Sequence, residues 1–154
     1  MTQTMPTHFE GTPEEQRALN VYIKLTRAAE SVNVRINRRL AELKLTLSQF
    51  GVLEALYHLG PMHQNELGQK ILRSSGNMTL VIDNLCKRGL VARCRNENDR
   101  RYITVSLTET GQKLICDYFP EHVKGILEEI SVLTPAEQAE MQRLCKKLGL
   151  GKIG

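Results

Sequence analysis

Residues 90–107 read LVARCRNENDRRYITVSL, and this stretch decides the fold. Apolar and polar residues alternate in both of its halves, which is typical of β-strands, whereas apolar residues before Gly89 recur every three or four positions. The tetrapeptide NEND at residues 96–99 is rich in turn-forming residues. The stretch therefore predicts a β-hairpin that follows helices and carries arginines near its tip.

Two short helices are predicted directly before the hairpin. The first spans about residues 63–72, with Leu67 and Ile71 facing inward, and the second spans about residues 74–88. Serines and a glycine at residues 74–76 separate them, because these residue types favour turns and helix starts. Such a pair is a helix-turn-helix candidate, and the added hairpin gives the order of a winged helix.

Longer helices are predicted on both sides of this unit. Thr12, Thr46 and Thr134 each begin a capping pattern. Thr108 is predicted to cap a long helix that Pro120 must kink or interrupt. An apolar stripe steps by three and four residues along the first helix: Tyr22, Leu25, Ala29, Val32, Ile36, Leu40 and Leu43. We expect a mainly α fold with a small β-wing, which is a winged helix-turn-helix lobe joined to a helical lobe.

Basic side chains concentrate in the helix pair and the hairpin. The formal net charge is +4, and residues 73–101 alone hold seven basic and three acidic side chains. A charged run by itself is more typical of a solvated face, but a basic patch that coincides with a winged helix favours DNA as the partner.

The predicted second helix, the recognition helix, would turn Met78, Val81, Ile82 and Leu85 toward the core. The residues expected to meet DNA here are Arg73, Ser74, Ser75, Gly76, Asn77, Thr79, Leu80 and Asn84. Short polar groups hydrogen-bond base edges, and an apolar group can contact a thymine methyl. The alternative is a helical hairpin that only packs.

On the wing, the residues expected to meet DNA are Arg93, Arg95, Asp99, Arg100 and Arg101. The carboxylate of Asp99 is placed to fix the direction of the Arg101 guanidinium, which we expect to enter the minor groove. A surface ion pair without further role is the alternative.

Composition and spacing argue against other classes of protein. The 154 residues suit one domain, and no run approaches the roughly 18 apolar residues of a membrane span. The first residues lack the features of a signal peptide, so we expect a cytoplasmic protein without membrane contact. We expect no catalysis, metal site or cofactor, because no catalytic motif or metal-ligand spacing occurs. The cysteines are expected to be reduced, buried hydrophobes: Cys86, Cys94, Cys116 and Cys145.

The segment NDRRYITVSLTETG at residues 98–111 resembles the wing signature of the MarR family of bacterial winged-helix regulators. Residues 45–50 with 52–53 resemble the family's second helix, and residues 75–79 resemble its recognition helix. The resemblance covers nearly the whole chain and implies a single MarR-type domain over 1–154. Its parts would be dimerisation helices in 12–45 and 108–150 and a winged helix-turn-helix in 46–107, with the recognition helix at about 74–88 and the wing at about 90–107.

The resemblance also implies a homodimer, joined by its first and last helices, on a pseudo-palindromic double-stranded DNA operator. A ligand pocket is expected between the dimer helices and the DNA-binding lobe. Its candidate residues, each of which could instead be core, are Tyr22, Phe50, Tyr57, His58, Tyr118, Phe119 and His122. Residues 68–76 and 119–122 resemble regulators that repress quinone and aromatic-electrophile detoxification genes, which implies a phenolic or quinone-like effector.

The predicted function is a sequence-specific DNA-binding transcriptional regulator, a homodimeric repressor released by a small aromatic ligand or electrophile. A winged helix that docks a protein is one alternative, because a fold alone does not fix function. A redox-sensing repressor is another. Cys86 lies one turn beyond Ile82 on the recognition helix, where oxidation would disturb DNA binding, although a buried thiol is usually inert. The family's peroxide sensors use a cysteine near the start of the first long helix, and no cysteine precedes Cys86.

Overall fold

Helix starts follow the capping residues of the sequence. The side chains of Thr12, Thr46 and Thr134 each accept a hydrogen bond from a backbone N–H three residues on, and a Glu or Gln at that position accepts one in return. Thr108 caps the next-to-last helix, since its hydroxyl accepts a hydrogen bond from Gly111 N at 3.1 Å. These bonds satisfy amide groups that a helix start otherwise leaves unpaired. All four predicted helix starts are confirmed.

The computed structural model describes residues 8–71 and 75–152, and only the backbone of residues 75 and 76. Within these residues the elements, in chain order, are α1 (Pro13–Leu40), a 3-10 turn (Ala41–Leu43), α2 (Leu47–Leu59), β1 (Met62–His63), α3 (Gln64–Lys70), α4 (Ser75–Lys87), β2 (Val91–Arg95), β3 (Ile103–Leu107), α5 (Glu109–Ile130) and α6 (Pro135–Leu150). The fold is mainly α with a small antiparallel sheet. It has the order of a winged helix-turn-helix between long helices, as the sequence predicted.

The sheet has the strand order β1-β3-β2. β2 and β3 form the predicted hairpin, with Val91 opposite Leu107 at one end and Arg95 opposite Ile103 at the other. β1 adds a short third strand, in which His63 lies opposite Thr104. Because α3 begins immediately after His63, this pairing ties the start of the helix-turn-helix to the wing.

The core lies between the carboxyl half of α1, the helix-turn-helix and the sheet. Its fully buried large side chains are Leu40, Phe50, Val52, Leu53, Leu67, Met78, Ile82, Leu85, Val105 and Ile115. The stripe predicted on α1 is buried only in part: Ile36 and Leu40 are buried, whereas Tyr22 is 65% exposed. The amino half of α1 therefore presents apolar side chains that this single chain leaves in solvent.

Several predicted boundaries differ from the observed ones. α1 ends at Leu40 and is followed by a 3-10 turn, and α3 is shorter at both ends than the predicted 63–72. His63 is its N-cap, and the imidazole Nδ1 accepts a hydrogen bond from Asn65 N at 3.2 Å. Of the two effects predicted for Pro120, a kink or an interruption, the interruption is wrong, because α5 runs through this residue.

Candidate nucleic-acid interface

The recognition helix α4 turns one side to the core and another to solvent. Of the residues expected inside, Met78, Ile82 and Leu85 are buried and Val81 is half-buried. Among the residues expected to meet DNA, those that are exposed are Asn77, Thr79 and Leu80. The exposed side of α4 therefore carries an amide, a hydroxyl and an apolar side chain, which are groups able to contact base edges and a thymine methyl.

The remaining residues predicted on α4 have other positions. Asn84, near the carboxyl end of the helix, is half-buried. Arg73 and Ser74 lie outside the described residues. Ser75 and Gly76 open the helix, and only their backbone is described.

The wing tip is a hydrogen-bonded turn that carries exposed cations. Asn96 N donates to Tyr102 O at 2.9 Å, and Tyr102 N donates to Asp99 O at 2.9 Å. Asp99 Oδ1 accepts from the backbone N of Arg101 at 3.0 Å and from its guanidinium Nε at 3.3 Å. The Arg101 side chain is 92% exposed. The predicted contact between Asp99 and Arg101 is present, and it directs a solvated guanidinium outward from the turn.

Arg95 and Arg100 are also exposed, whereas Arg93 is half-buried. Its side chain is 26% exposed and forms an ion pair with Asp83 of α4. The Arg93 Nε donates to Gln64 Oε1 at 3.3 Å, and an Nη donates to the backbone oxygen of Thr79 at 3.3 Å. Arg93 thus connects β2 to both helices of the helix-turn-helix.

Gln64 and Arg88 are polar residues at this site that sequence reasoning missed. Gln64, the first residue of α3, donates from Nε2 to Thr79 Oγ1 at 3.1 Å. Arg88 follows α4 and donates to the backbone oxygens of Lys44 at 2.7 Å and of Leu43 at 3.0 Å. Neither position belongs to an apolar period or a known motif, so only the tertiary contacts identify them.

An aromatic cluster joins α2 to α5. Its ring contacts link six of the seven predicted pocket residues: Phe50, Tyr57, His58, Tyr118, Phe119 and His122. The nearest pair among them is Phe50 and His122, with ring centroids 4.3 Å apart. Tyr22 lies outside the cluster, on the exposed amino half of α1.

A cavity of about 260 Å³ adjoins this cluster. Residues of α1, α2 and α5 line it together with Ile71, the last described residue before the recognition helix. The lining residues are Val32, Asn33, Ile36, Leu47, Ser48, Phe50, Gly51, Glu54, Ile71, His122 and Ile126. Of the predicted pocket residues, only Phe50 and His122 reach this cavity.

Burial perturbs two of the ionisable groups in the cluster. It lowers the pKa of His122, while the carboxylate of Glu54 acts in the opposite direction. Burial also raises the pKa of Tyr118, whose hydroxyl donates to the backbone oxygen of Arg39 at 3.2 Å. The wall of the cavity at His122 is therefore a neutral imidazole at physiological pH.

The expectation of buried cysteines is wrong for three of the four. Cys94, Cys116 and Cys145 are exposed, because they lie on the solvent sides of β2, α5 and α6. Cys86 is half-buried and packs against the core. A hydrogen bond with Cys116 raises the pKa of Tyr57, which places that thiol beside the aromatic cluster.

Residues 8–71 and 75–152 contain neither a membrane-spanning helix nor a cluster of metal-ligating side chains. No helix there is both long and apolar enough to cross a bilayer. Within the same ranges, no three His, Cys, Asp or Glu side chains cluster as metal ligands do.

Sequence comparisons point to one group of proteins. A model of the MarR family matches residues 45–103. The chain is 37% identical over 135 residues to the HTH-type transcriptional regulator MhqR of Bacillus subtilis, a match that covers 88% of this chain and 93% of the relative. The similarity therefore extends beyond the winged helix into the flanking helices.

Solved structures show the same arrangement. The regulator BpsR of Bordetella bronchiseptica, whose DNA binding is regulated by 6-hydroxynicotinic acid, superposes with a TM-score of 0.78 at 27% identity, covering 84% of this chain and 98% of that one. A variant of E. coli MarR in complex with operator DNA superposes with a TM-score of 0.76, also at 27% identity, covering 86% of this chain and 95% of that one.

Proposed function

The chain belongs to the MarR family of DNA-binding transcriptional regulators, and from that premise we propose that it is a homodimeric repressor which a small aromatic molecule or electrophile releases from its operator. The observation that carries the proposal is the position of the cavity. It lies between the long helices and the winged helix, and its wall includes the residue that leads into the recognition helix.

In this proposal the exposed side of α4 reads base edges in the major groove, and the wing tip inserts Arg101 into the minor groove. Arg95 and Arg100 would contact phosphates, because their side chains are exposed on the same hairpin. Two copies of α4 must stand about 34 Å apart to reach successive major grooves, which requires a dimer and a pseudo-palindromic operator.

Exposed apolar side chains on α1 and α6 support the dimer. Tyr22 and Val21 are 65% and 56% exposed on the amino half of α1, and α6 has no buried residue. The large apolar side chains exposed on α6 are Met141, Leu144, Leu148 and Leu150. Patches of this kind mark protein interfaces, and we assign these two helices to the dimer contact.

The chemistry of the cavity supports an effector with a small flat ring and polar substituents. Its volume of about 260 Å³ lies just below the usual range of ligand pockets, which suits a single ring. Phe50 and the neutral imidazole of His122 offer ring faces, while Ser48 and Asn33 offer hydrogen bonds. A phenol or a quinone has this combination of groups.

The proposal is tested by fluorescence anisotropy on duplex DNA from the protein's own upstream region and on a scrambled duplex, with the mass measured in parallel. We expect a dimer that prefers its own region by about a thousandfold or more and whose affinity falls with salt. Equal, weak and salt-sensitive binding would leave only a basic surface, and absence of binding would favour the protein-docking alternative.

Release is tested by adding catechol or 1,4-benzoquinone to the protein–operator complex. A Val32→Phe variant, which fills part of the cavity, should bind the operator normally and resist release. Equal release of the variant and the parent would exclude the cavity as the effector site. If replacing Cys86 or Cys116 with Ser abolished release, a thiol would be the sensor.

A further inference from the structure

The guanidinium of Arg93 is enclosed by the two helices of the helix-turn-helix. In the hairpin register Arg93 lies opposite Val105, which is fully buried, so both side chains point to the inner face of the sheet. There the guanidinium meets the Asp83 carboxylate, the Gln64 amide oxygen and the Thr79 backbone oxygen. Its donors are therefore directed at α3 and α4.

This network withdraws Arg93 from the charge that the wing offers to DNA. The ion pair with Asp83 neutralises the arginine locally, and its side chain is much less exposed than that of Arg101. A phosphate contact would require the guanidinium to leave a charge-assisted hydrogen bond and two further acceptors. Arg95, two residues along the same strand, is exposed and provides the natural comparison.

The same network reaches a side chain on the exposed side of α4. Gln64 donates to Thr79 Oγ1, and its own amide oxygen accepts from Arg93. A threonine in a helix populates two rotamers, and the bond from Gln64 favours the one that holds Oγ1 toward α3. Gln64 and Arg93 thus fix both the rotation of α4 at Thr79 and the direction of its hydroxyl.

We infer that Arg93 and Gln64 are positioning residues for base recognition: they set Thr79 for the major groove without contacting DNA themselves. This inference rests on the proposed function, in which α4 reads the operator. Each well-placed base contact contributes about tenfold or more to discrimination between sequences. Loss of the positioning at both half-sites of a dimer would lower discrimination by roughly a hundredfold.

The test compares three variants in the anisotropy assay: Arg93→Gln, Gln64→Ala and the matched control Arg95→Gln. Two quantities are measured. The first is the ratio of the affinities for the own-region duplex and the scrambled duplex. The second is the slope of log affinity against log salt concentration on the scrambled duplex, called the salt slope. We expect Arg93→Gln and Gln64→Ala to lower the ratio about a hundredfold and to leave the slope unchanged. Arg95→Gln should reduce the slope by about 1.8 per dimer, because it removes two phosphate contacts, and should keep the ratio.

A reduced slope with an unchanged ratio in Arg93→Gln would overturn the inference, since Arg93 would then be a phosphate contact. A double-mutant comparison tests the route through Thr79. In a Thr79→Ala background, Gln64→Ala should cause no further loss of ratio, whereas additive losses would show that Gln64 does not act through Thr79.

Thermal melts of each variant distinguish unfolding from loss of recognition. If Arg93→Gln does not fold, the inference is tested with Gln64→Ala, which removes no charge. A parent protein that fails to discriminate its own region would overturn base reading by α4 and this inference together. A parent that discriminates, with a Gln64→Ala ratio equal to its own, would overturn the inference alone.

Discussion

Replacing Arg101 separates the minor-groove role of the wing from a simple surface charge. The Arg101 side chain is 92% exposed and is held by Asp99 at the wing tip. A dimer loses two such guanidinium groups in Arg101→Gln. With about 1 kcal/mol lost per arginine, which is the lower end of the range for a specific contact, operator affinity should fall by at least about 30-fold.

The salt dependence gives a second magnitude. Two lost DNA contacts reduce the slope of log affinity against log salt by about 1.8, so between 50 and 200 mM salt the parent should lose about twelvefold more affinity than the variant. Anisotropy titrations at four salt concentrations measure both effects. Lys124→Gln removes the same charge from an exposed position on α5, outside the helices assigned to the dimer contact, and serves as the control. Equal affinities and slopes for Arg101→Gln and the control would refute the role of the wing arginine.

Asp99→Ala then distinguishes direction from charge, because the two effects have opposite signs. The substitution makes the wing more positive, so a purely electrostatic wing would bind DNA more tightly. It also removes the carboxylate that accepts from the backbone N and the Nε of Arg101. We expect weaker operator binding despite the added positive charge, and tighter binding would show that the orientation of Arg101 has no part in recognition.

Three further predictions concern packing, pH and assembly. A Cβ at Gly111 would stand 1.9 Å from the backbone oxygen of Leu90, so Gly111→Ala should lower the free energy of unfolding by about 3 kcal/mol in urea titrations; a change below the error of the titration would contradict the contact. Burial lowers the pKa of His122, so at acidic pH this histidine is protonated more readily in the unfolded chain than in the folded one, and stability should fall as pH decreases below about 6.5. Between pH 8 and pH 5 the melting temperature should decline less in His122→Phe than in the parent. Equal declines in the two proteins would contradict this prediction. Leu144→Arg puts a charge on the exposed apolar side of α6, and light scattering should show a monomer where the parent is a dimer; an unchanged mass would exclude this side of α6 from the interface.

The fold could be predicted because its signals are local. A period of two in residues 90–107 identified the hairpin, and threonine caps fixed the starts of the long helices. β1 could not be predicted, since two residues show no period and its partner β3 lies some forty residues away. Its pairing depends on tertiary contact alone.

Only the part of the site that depends on local sequence patterns could be predicted. Arg93 and Arg95 look alike as charges, and strand alternation puts both of them on the face of the buried Val91. Arg93 lies opposite the buried Val105, whereas Arg95 lies one step nearer the wing tip and is exposed. The alternation was available in the sequence and indicates that an arginine on this face can need an internal partner, but it does not distinguish Arg93 from Arg95. The partners themselves, Gln64 and Asp83, follow from how the helices pack and have no signature along the chain.

The contacts around α4 explain how a small cavity could control DNA binding in the proposed function. Ile71 lines the cavity ahead of the recognition helix, and beyond the other end of α4 Arg88 donates to the backbone oxygens of Leu43 and Lys44. Lys44 has a φ of 55°, a left-handed conformation that a residue with a side chain adopts at a cost, so the corner after α1 depends on such tertiary bonds. α4 is therefore attached at both ends to parts that also border the long helices.

An effector that displaces Ile71 would act on one end of α4 while Arg88 holds the other end, which rotates the helix rather than translating it. Because both recognition helices of a dimer must match a fixed groove spacing, a small rotation in each would suffice to release the operator.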